Sequence, residues 1–428
     1  MRARFGLCLT GLMAAGSMHL QAVPIYQSGE VTLYMSGYFS ANQVNAQGDT
    51  EMRDGASRIR IGLNVPAYRN WDTGFNLEWG VRAISSASPL LIQGNQQASF
   101  GDRDLSLFLR QGHGFAKHDC WGDFTVGKQW GIYYDVAEWT DWYEISGGLG
   151  SGAYSLGTDG GVTGTGRADS ALTWRKRWDL FGGEFQLGLQ YQAHTQGLEL
   201  DVIGLDLDIE GLEPENTELV CPPGDCEFEL GHAVSLTYRA DIGDGLEFGS
   251  AYNRMRVDVQ STRGRVFDIS DPLEPVLVTS SYNFNASEDI WAWIAGINYG
   301  KGPYQQGFYG AVVYQHSQNN ELAPEGTVDS IANFFDARGS ESLFTYTWGA
   351  RDCYSVYAGH NYLRSDDPEF EEALIDANSF RLRKYYLGFH YKWNERITLY
   401  TENTIDDSNE IGRIFADDVI AVGFRIDI

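Results

Sequence analysis

Long hydrophobic runs are what this 428-residue chain most lacks. Beyond a short apolar stretch from Leu7 to Ala15, no segment approaches the roughly 20 residues that a membrane helix needs. Mean hydropathy is −0.31. A bundle of membrane helices is thereby excluded. Basic residues are also scarce, with 31 Lys and Arg against 58 Asp and Glu and a formal charge of −27. So acidic a chain repels phosphate backbones, which excludes nucleic acid as a partner. The 8 histidines are scattered. No pair has zinc spacing, so neither a metal centre nor a cofactor is expected. No fixed repeat period runs through the chain, which excludes a solenoid. Proline numbers 11 against 50 glycines, a balance suited to tight turns and thin walls.

What is present begins with an address. Met1-Arg-Ala-Arg4 is a basic leader, Leu7–Ala15 a short apolar core and Leu20-Gln-Ala22 a small-residue cleavage site. Residues 1–22 read as a secretion signal, with the mature chain over 23–428. Of the five cysteines four then remain. Cys221-Pro-Pro-Gly-Asp-Cys226 reads as a short disulfide loop in an oxidising compartment.

Alternation is the second positive signal. In Val419–Ile428 one face carries Ile420, Val422, Phe424, Ile426 and Ile428, and the other Val419, Ala421, Gly423, Arg425 and Asp427. Phe185–Gln192 separates as cleanly, with Gln186 and Gln190 on the polar face. Period two means strands, each greasy on one side only. A closed barrel can cross a bilayer with such strands, because half of each faces lipid and no backbone edge is left open. Clear and weaker runs together number about sixteen, an even count that suits a bacterial barrel. Short connections at 175–182, 241–245, 300–303 and 392–396 alternate with long polar ones at 129–166, 195–230, 260–288, 318–340 and 365–380. Segregated loop lengths fit a transmembrane barrel in an outer membrane and have no purpose in a soluble sandwich. The fold class is therefore all-β, a 16-stranded antiparallel transmembrane β-barrel in one domain. A barrel of that size is too wide for side chains to fill, so it should hold a water channel. Cys120 and Cys353 fall on the short-turn rim eight strands apart. Opposite walls roughly 30 Å apart would leave both as free thiols.

The connection after the fifth strand carries the most specific motifs. It reads Gly127-Lys128, Tyr133-Tyr134-Asp135, Thr140-Asp141, Glu144-Ile145-Ser146-Gly147-Gly148, then Gly166-Arg167 and Thr173-Trp174-Arg175. In order and approximate spacing it resembles the general porins of Gram-negative outer membranes. The motif match covers roughly residues 120–192, and the architecture the whole mature chain. The tip lacks the family's proline, and Leu149 stands where the family has Asp. The resemblance implies a homotrimer, a third loop folded into the lumen, and contact with outer-membrane lipid, lipopolysaccharide and the barrel-assembly machinery.

It also implies a narrowing where loop carboxylates face wall cations and set up a transverse field. The acidic candidates are Asp141, Glu144 and Glu138. The basic ones are Arg60, Arg167, Arg58 and Arg110, because an arginine on the lipid face is costly and the lumen is the alternative. The expected function is passive diffusion of small hydrophilic solutes and ions, with a preference for cations. A sugar-selective pore is the alternative, with Trp130, Tyr133, Tyr134, Trp139, Trp142 and Tyr143 as a sugar slide; the same aromatics can instead anchor the loop. An outer-membrane enzyme would need a Ser/His or Asp/His set on neighbouring strands, and no convincing set is found, so the chain is not expected to be an enzyme. The acid-rich stretch Glu199–Glu229 reads as a solvated rim.

Overall fold

The computed structural model describes residues 22–46, 49–67, 69–84, 107–145, 147–154, 159–193, 202–203, 218–219, 226–228, 230–259, 262–268, 276–282, 286–322, 334–368, 379–409 and 418–428. Cys221, residues 1–21 and most of the acidic stretch from 199 to 229 lie outside them.

Sixteen antiparallel columns close into a barrel. They are β1 (Val31–Ala46), β2 (Asp49–Asp54 and Arg58–Ala67), β3 (Trp71–Val81), β4 (Leu107–His118) and β5 (Gly122–Lys128), then β6 (Ala171–Leu180), β7 (Gly183–Gln192), β8 (Gly231–Ala240), β9 (Leu246–Val259) and β10 (Ala286–Tyr299), then β11 (Gly307–Leu322), β12 (Phe334–Trp348), β13 (Tyr354–Ser365), β14 (Arg381–Lys392), β15 (Ile397–Asp406) and β16 (Val419–Asp427). Each pairs with its chain neighbours, and closure is made by β1 on β16, from Tyr38 opposite Asp427 to Ala46 opposite Val419. The other half of β1 pairs with Val23–Ser28, which prolongs the β16 column past the chain end.

The greasy faces point outward, into the hydrocarbon. On β16, Ile420, Val422 and Ile426 are exposed while Val419 and Ala421 are buried. On β7, Leu189 and Tyr191 are exposed, and Gln186, Gln190 and Gln192 are buried. Stacked aromatics such as Trp348–Tyr354 and Tyr354–Tyr391 mark the short-turn rim, where amphipathic rings suit the membrane–water boundary. Cys120 and Cys353 are both free thiols on that rim.

Several boundaries differ from the sequence reading. Within 318–340, β11 runs on to Leu322 and β12 starts at Phe334, and within 260–288, Thr262–Asp268 pairs with Val276–Tyr282. The segment 175–182 is not a turn, because β6 runs on to Leu180 and only Phe181 and Gly182 reverse the chain. Its Arg-Lys-Arg run is the solvated end of a strand, not a break in it. Arg167 also precedes β6 rather than lying within it, since that strand starts at Ala171.

The third long loop, 129–170, folds into the lumen. Its helical turn, α1 (Tyr134–Ala137), buries Tyr134, Val136 and Ala137. Tyr133, Trp139, Tyr143 and Tyr154 pack with wall residues such as Ile294, Val313, Leu343 and Tyr357 in one buried cluster.

Candidate functional site: the loop and the wall it faces

The inward loop is tied to the wall by polar anchors. Tyr309 donates its hydroxyl to the Trp139 carbonyl at 2.8 Å, and Tyr304 donates to the Trp142 carbonyl at 2.6 Å. Tyr143 donates to the Ser342 carbonyl. Two wall carboxylates accept from the loop tip. Glu402 takes the backbone N–H of Glu144 at 2.8 Å and the Tyr357 hydroxyl at 2.8 Å. Glu341 takes the N–H of Gly148 at 2.9 Å. Gly147 and Gly148 have φ of 123° and 78°, which turn the tip so that these amides face the wall.

The predicted arginines gather on one side. Arg60 stands opposite Glu78 in the β2–β3 register. A bulge in β4 shifts the pairing, so that Glu78 meets Gln111 and Trp79 meets Leu109. Arg110 is the extra residue, and the bulge turns both Arg110 and Gln111 inward. Glu78 is thereby shared by three guanidiniums. Arg110 Nε lies 3.0 Å from its Oε1, Arg60 Nε 3.2 Å from its Oε2 and Arg58 Nη1 3.8 Å from its Oε1. Arg110 is almost fully enclosed, whereas a third of the Arg60 side chain meets the lumen. Arg167 is also buried, bonding Asp159 at 3.3 Å beside Lys128, which bridges Asp159 and Asp169.

The acidic candidates occupy different places. Asp141 is buried, accepting hydroxyls from Tyr134 at 2.6 Å and Tyr154 at 2.7 Å. Burial lifts its carboxyl above the usual range, despite those hydroxyls and the charges of Arg167 and Arg58. Glu144 is partly open and lies 3.2 Å from His390 Nε2. Burial pushes its carboxyl up, but His390, Arg425 and Arg58 outweigh burial and hold it below the usual range. Glu138 stands apart from these two, near Asp135, Glu247, Arg175 and Arg177. Burial, with Asp135 and Glu247, pushes it up to about 8. The structure thus brings Asp141 and Glu144 within Coulombic reach of Arg58, and sets Glu138 against the β6–β9 wall.

Comparison with known proteins settles what such a barrel is. The family model for Gram-negative porins matches residues 8–410. The chain belongs to the Gram-negative porins. Similar curated porins include outer membrane protein S2 of Salmonella typhi, 23% identical over 99% of this chain and 98% of that protein. Outer membrane porin N of Escherichia coli is 24% identical over 97% of each. Among solved structures, OmpF of Salmonella typhi in complex with daunomycin superposes with a TM-score of 0.60 at 16% identity, covering 95% of this chain and all of that one. An anion-selective porin from Comamonas acidovorans gives 0.54 at 12% identity, over 93% of this chain. At those identities the structural likeness speaks for the fold.

This porin is an outer-membrane channel for small hydrophilic solutes, and members of its family are channels without catalysis. Sequence reading missed Glu78, which gathers three arginines, and Glu341 and Glu402, which hold the loop tip. Parity was available as a signal, since Glu341 and Glu402 each fall on the lumen face of an alternating strand. Which of them would meet the loop depends on how the loop folds across the barrel.

Proposed function

We propose that this porin is a passive, cation-preferring pore whose narrowing is formed by Glu144 and Asp141 of the loop against Arg58, Arg60, Arg110 and Arg167, with Glu138 adding negative charge on the β6–β9 side. The observation that carries the reading is the position of Glu144. It is partly open to the lumen, kept ionised, and within Coulombic reach of Arg58. Much of the basic wall is already compensated, by Glu78 and Asp159. The Glu144 carboxylate lies 3.2 Å from His390, and the Asp141 carboxylate accepts tyrosine hydroxyls. The balance of field therefore favours cations, in keeping with the charge of −27.

Reversal potential in a KCl gradient across a planar bilayer tests this. A potential of the sign for K⁺ passing faster than Cl⁻ supports the reading; the opposite sign rejects it.

The working unit in this proposal is a homotrimer in contact with lipopolysaccharide, delivered by a cleaved signal at residues 1–22 and inserted by the barrel-assembly machinery. Cys221 and Cys226 form a disulfide in it. A sugar-selective pore is the second reading, supported by the partial exposure of Trp130 and Trp142. The hydroxyl anchors of Tyr133, Tyr134 and Tyr143 favour a structural role for the rest of the cluster. Saturable block of the current by an oligosaccharide would support the sugar reading.

A further inference from the structure

The closure seam adds to Arg58 three residues that the narrowing described above does not use, Tyr38, Arg425 and Asp427. Tyr38 lies on β1 with Arg58 opposite it on one side and Asp427 opposite it on the other. Two guanidiniums meet its ring, Arg58 at 4.9 Å and Arg425 at 3.9 Å from Cζ to the ring centroid. Two like charges so close to one another repel unless something lies between them or compensates them. The negative quadrupole of an aromatic ring does this for cations. Asp427 completes the set, two residues along β16 on the same inward face, with Oδ1 2.8 Å from Arg425 Nε and 2.7 Å from Nη2. Held by the ring and this fork, Arg425 has little freedom, yet about a seventh of its side chain is open to the lumen. Glu144 lies 3.2 Å from His390 Nε2. His390 stands in register with Tyr400 on β15 and, through it, with Gly423 on β16, two residues from Arg425 on the same inward face. Glu144 accordingly feels Arg425 and Arg58 after His390.

We propose that Arg425, set in place by Tyr38, is a selectivity-determining residue of this pore and faces Glu144 from the strand that closes the barrel. The proposal rests on the reading that Glu144 lines the narrowing. It assigns part of the opposing field to the C-terminal strand, where the candidates named from sequence all precede residue 168. Tyr38 is a positioning residue, acting through the guanidinium rather than on the ion.

The test is the permeability ratio of K⁺ to Cl⁻ from reversal potentials of Arg425→Gln, Tyr38→Leu and Tyr38→Phe pores. A unit charge lost within about a Debye length of the ion path should raise the ratio about twofold to fivefold in Arg425→Gln. Tyr38→Leu should shift the ratio in the same direction with every charge retained, and Tyr38→Phe, which keeps the ring, should match wild type. If Arg425→Gln fails to form heat-modifiable barrels, Asp427→Asn replaces it and should lower the ratio. Wild-type ratios from Arg425→Gln, or from Asp427→Asn where it is used, would overturn the assignment. A shifted ratio for Tyr38→Phe equal to that of Tyr38→Leu would overturn the role of the ring. The sign of the wild-type potential tests the cation preference separately, because the variant-to-wild-type ratio is read whatever that sign is.

Discussion

Glu402 on β15 accepts the backbone N–H of Glu144 at 2.8 Å, across 258 residues of chain. A carboxylate of the wall thus holds the residue whose own carboxylate lies 3.2 Å from His390 and within Coulombic reach of Arg425 and Arg58. Anchoring and field meet in one residue of the loop, so loosening the first should disturb the second.

Replacing Glu402 with Ala removes the acceptor for the Glu144 amide and for the Tyr357 hydroxyl. Charge-assisted bonds of this kind contribute roughly 1.5–3 kcal/mol each. The expected result is a loop tip that samples more than one position. Single-channel recording should show more open-state noise and a weaker ion preference, and Glu402→Gln should lie between Ala and wild type.

Glu78 is nearly inaccessible and serves three arginines. Glu78→Gln leaves the enclosed Arg110 without its carboxylate, at a cost of about 3–5 kcal/mol. The variant should lose its heat-resistant band at a lower temperature on electrophoresis. Pores that do form should pass Cl⁻ more readily than wild type does.

Asp141 is the shared acceptor of two buried tyrosine hydroxyls. Asp141→Ala strands both and should destabilise the seated loop by about 1–3 kcal/mol per hydroxyl. Asp141→Asn keeps an acceptor and should recover most of that stability while lowering cation preference. The contrast between thermal stability and reversal potential in these two variants separates the residue's bonding from its charge.

Glu138 should give the pore a pH response. Its carboxyl is pushed up to about 8 by burial and by its acidic neighbours. A raised carboxyl pKa means that the folded state binds the proton more tightly than the unfolded chain. The group therefore stabilises the fold least at high pH, and it gains its charge as pH rises through about 8. Cation preference should increase between about pH 6.5 and 9.5, and Glu138→Gln should abolish that increment. Glu144, held below the usual range, should stay ionised throughout this window.

Much of this barrel was legible in the sequence because lipid imposes a strict rule. Every second residue of Phe185–Gln192 or Val419–Asp427 must be apolar, and the rule is local. The arginine candidates followed from the same rule, and Arg58, Arg60 and Arg110 do converge. Their convergence point, Glu78, was not legible, because it depends on a cross-strand register and on a bulge at Arg110 that no local pattern encodes. The β6 end was misread because a strand that emerges into water stops obeying the lipid rule, and Arg175-Lys-Arg then looks like a turn. The separation of Glu138 from Glu144 is a property of the loop's path, set by contacts with strands more than a hundred residues downstream.

Those downstream contacts fix an order of events. The loop around Trp139 to Gly148 hangs from Tyr304, Tyr309, Glu341, Ser342, Tyr357 and Glu402. All of these belong to the later half of the chain. Until the strands that carry these groups stand in the wall, the stretch from Trp139 to Gly148 has none of these partners to attach to. Its seating closes chain segments of roughly 160 to 260 residues, an entropic cost that only a nearly complete wall can offset. Seating of the loop is therefore expected to follow closure of most of the wall, and a chain lacking β15 should hold its loop tip loosely.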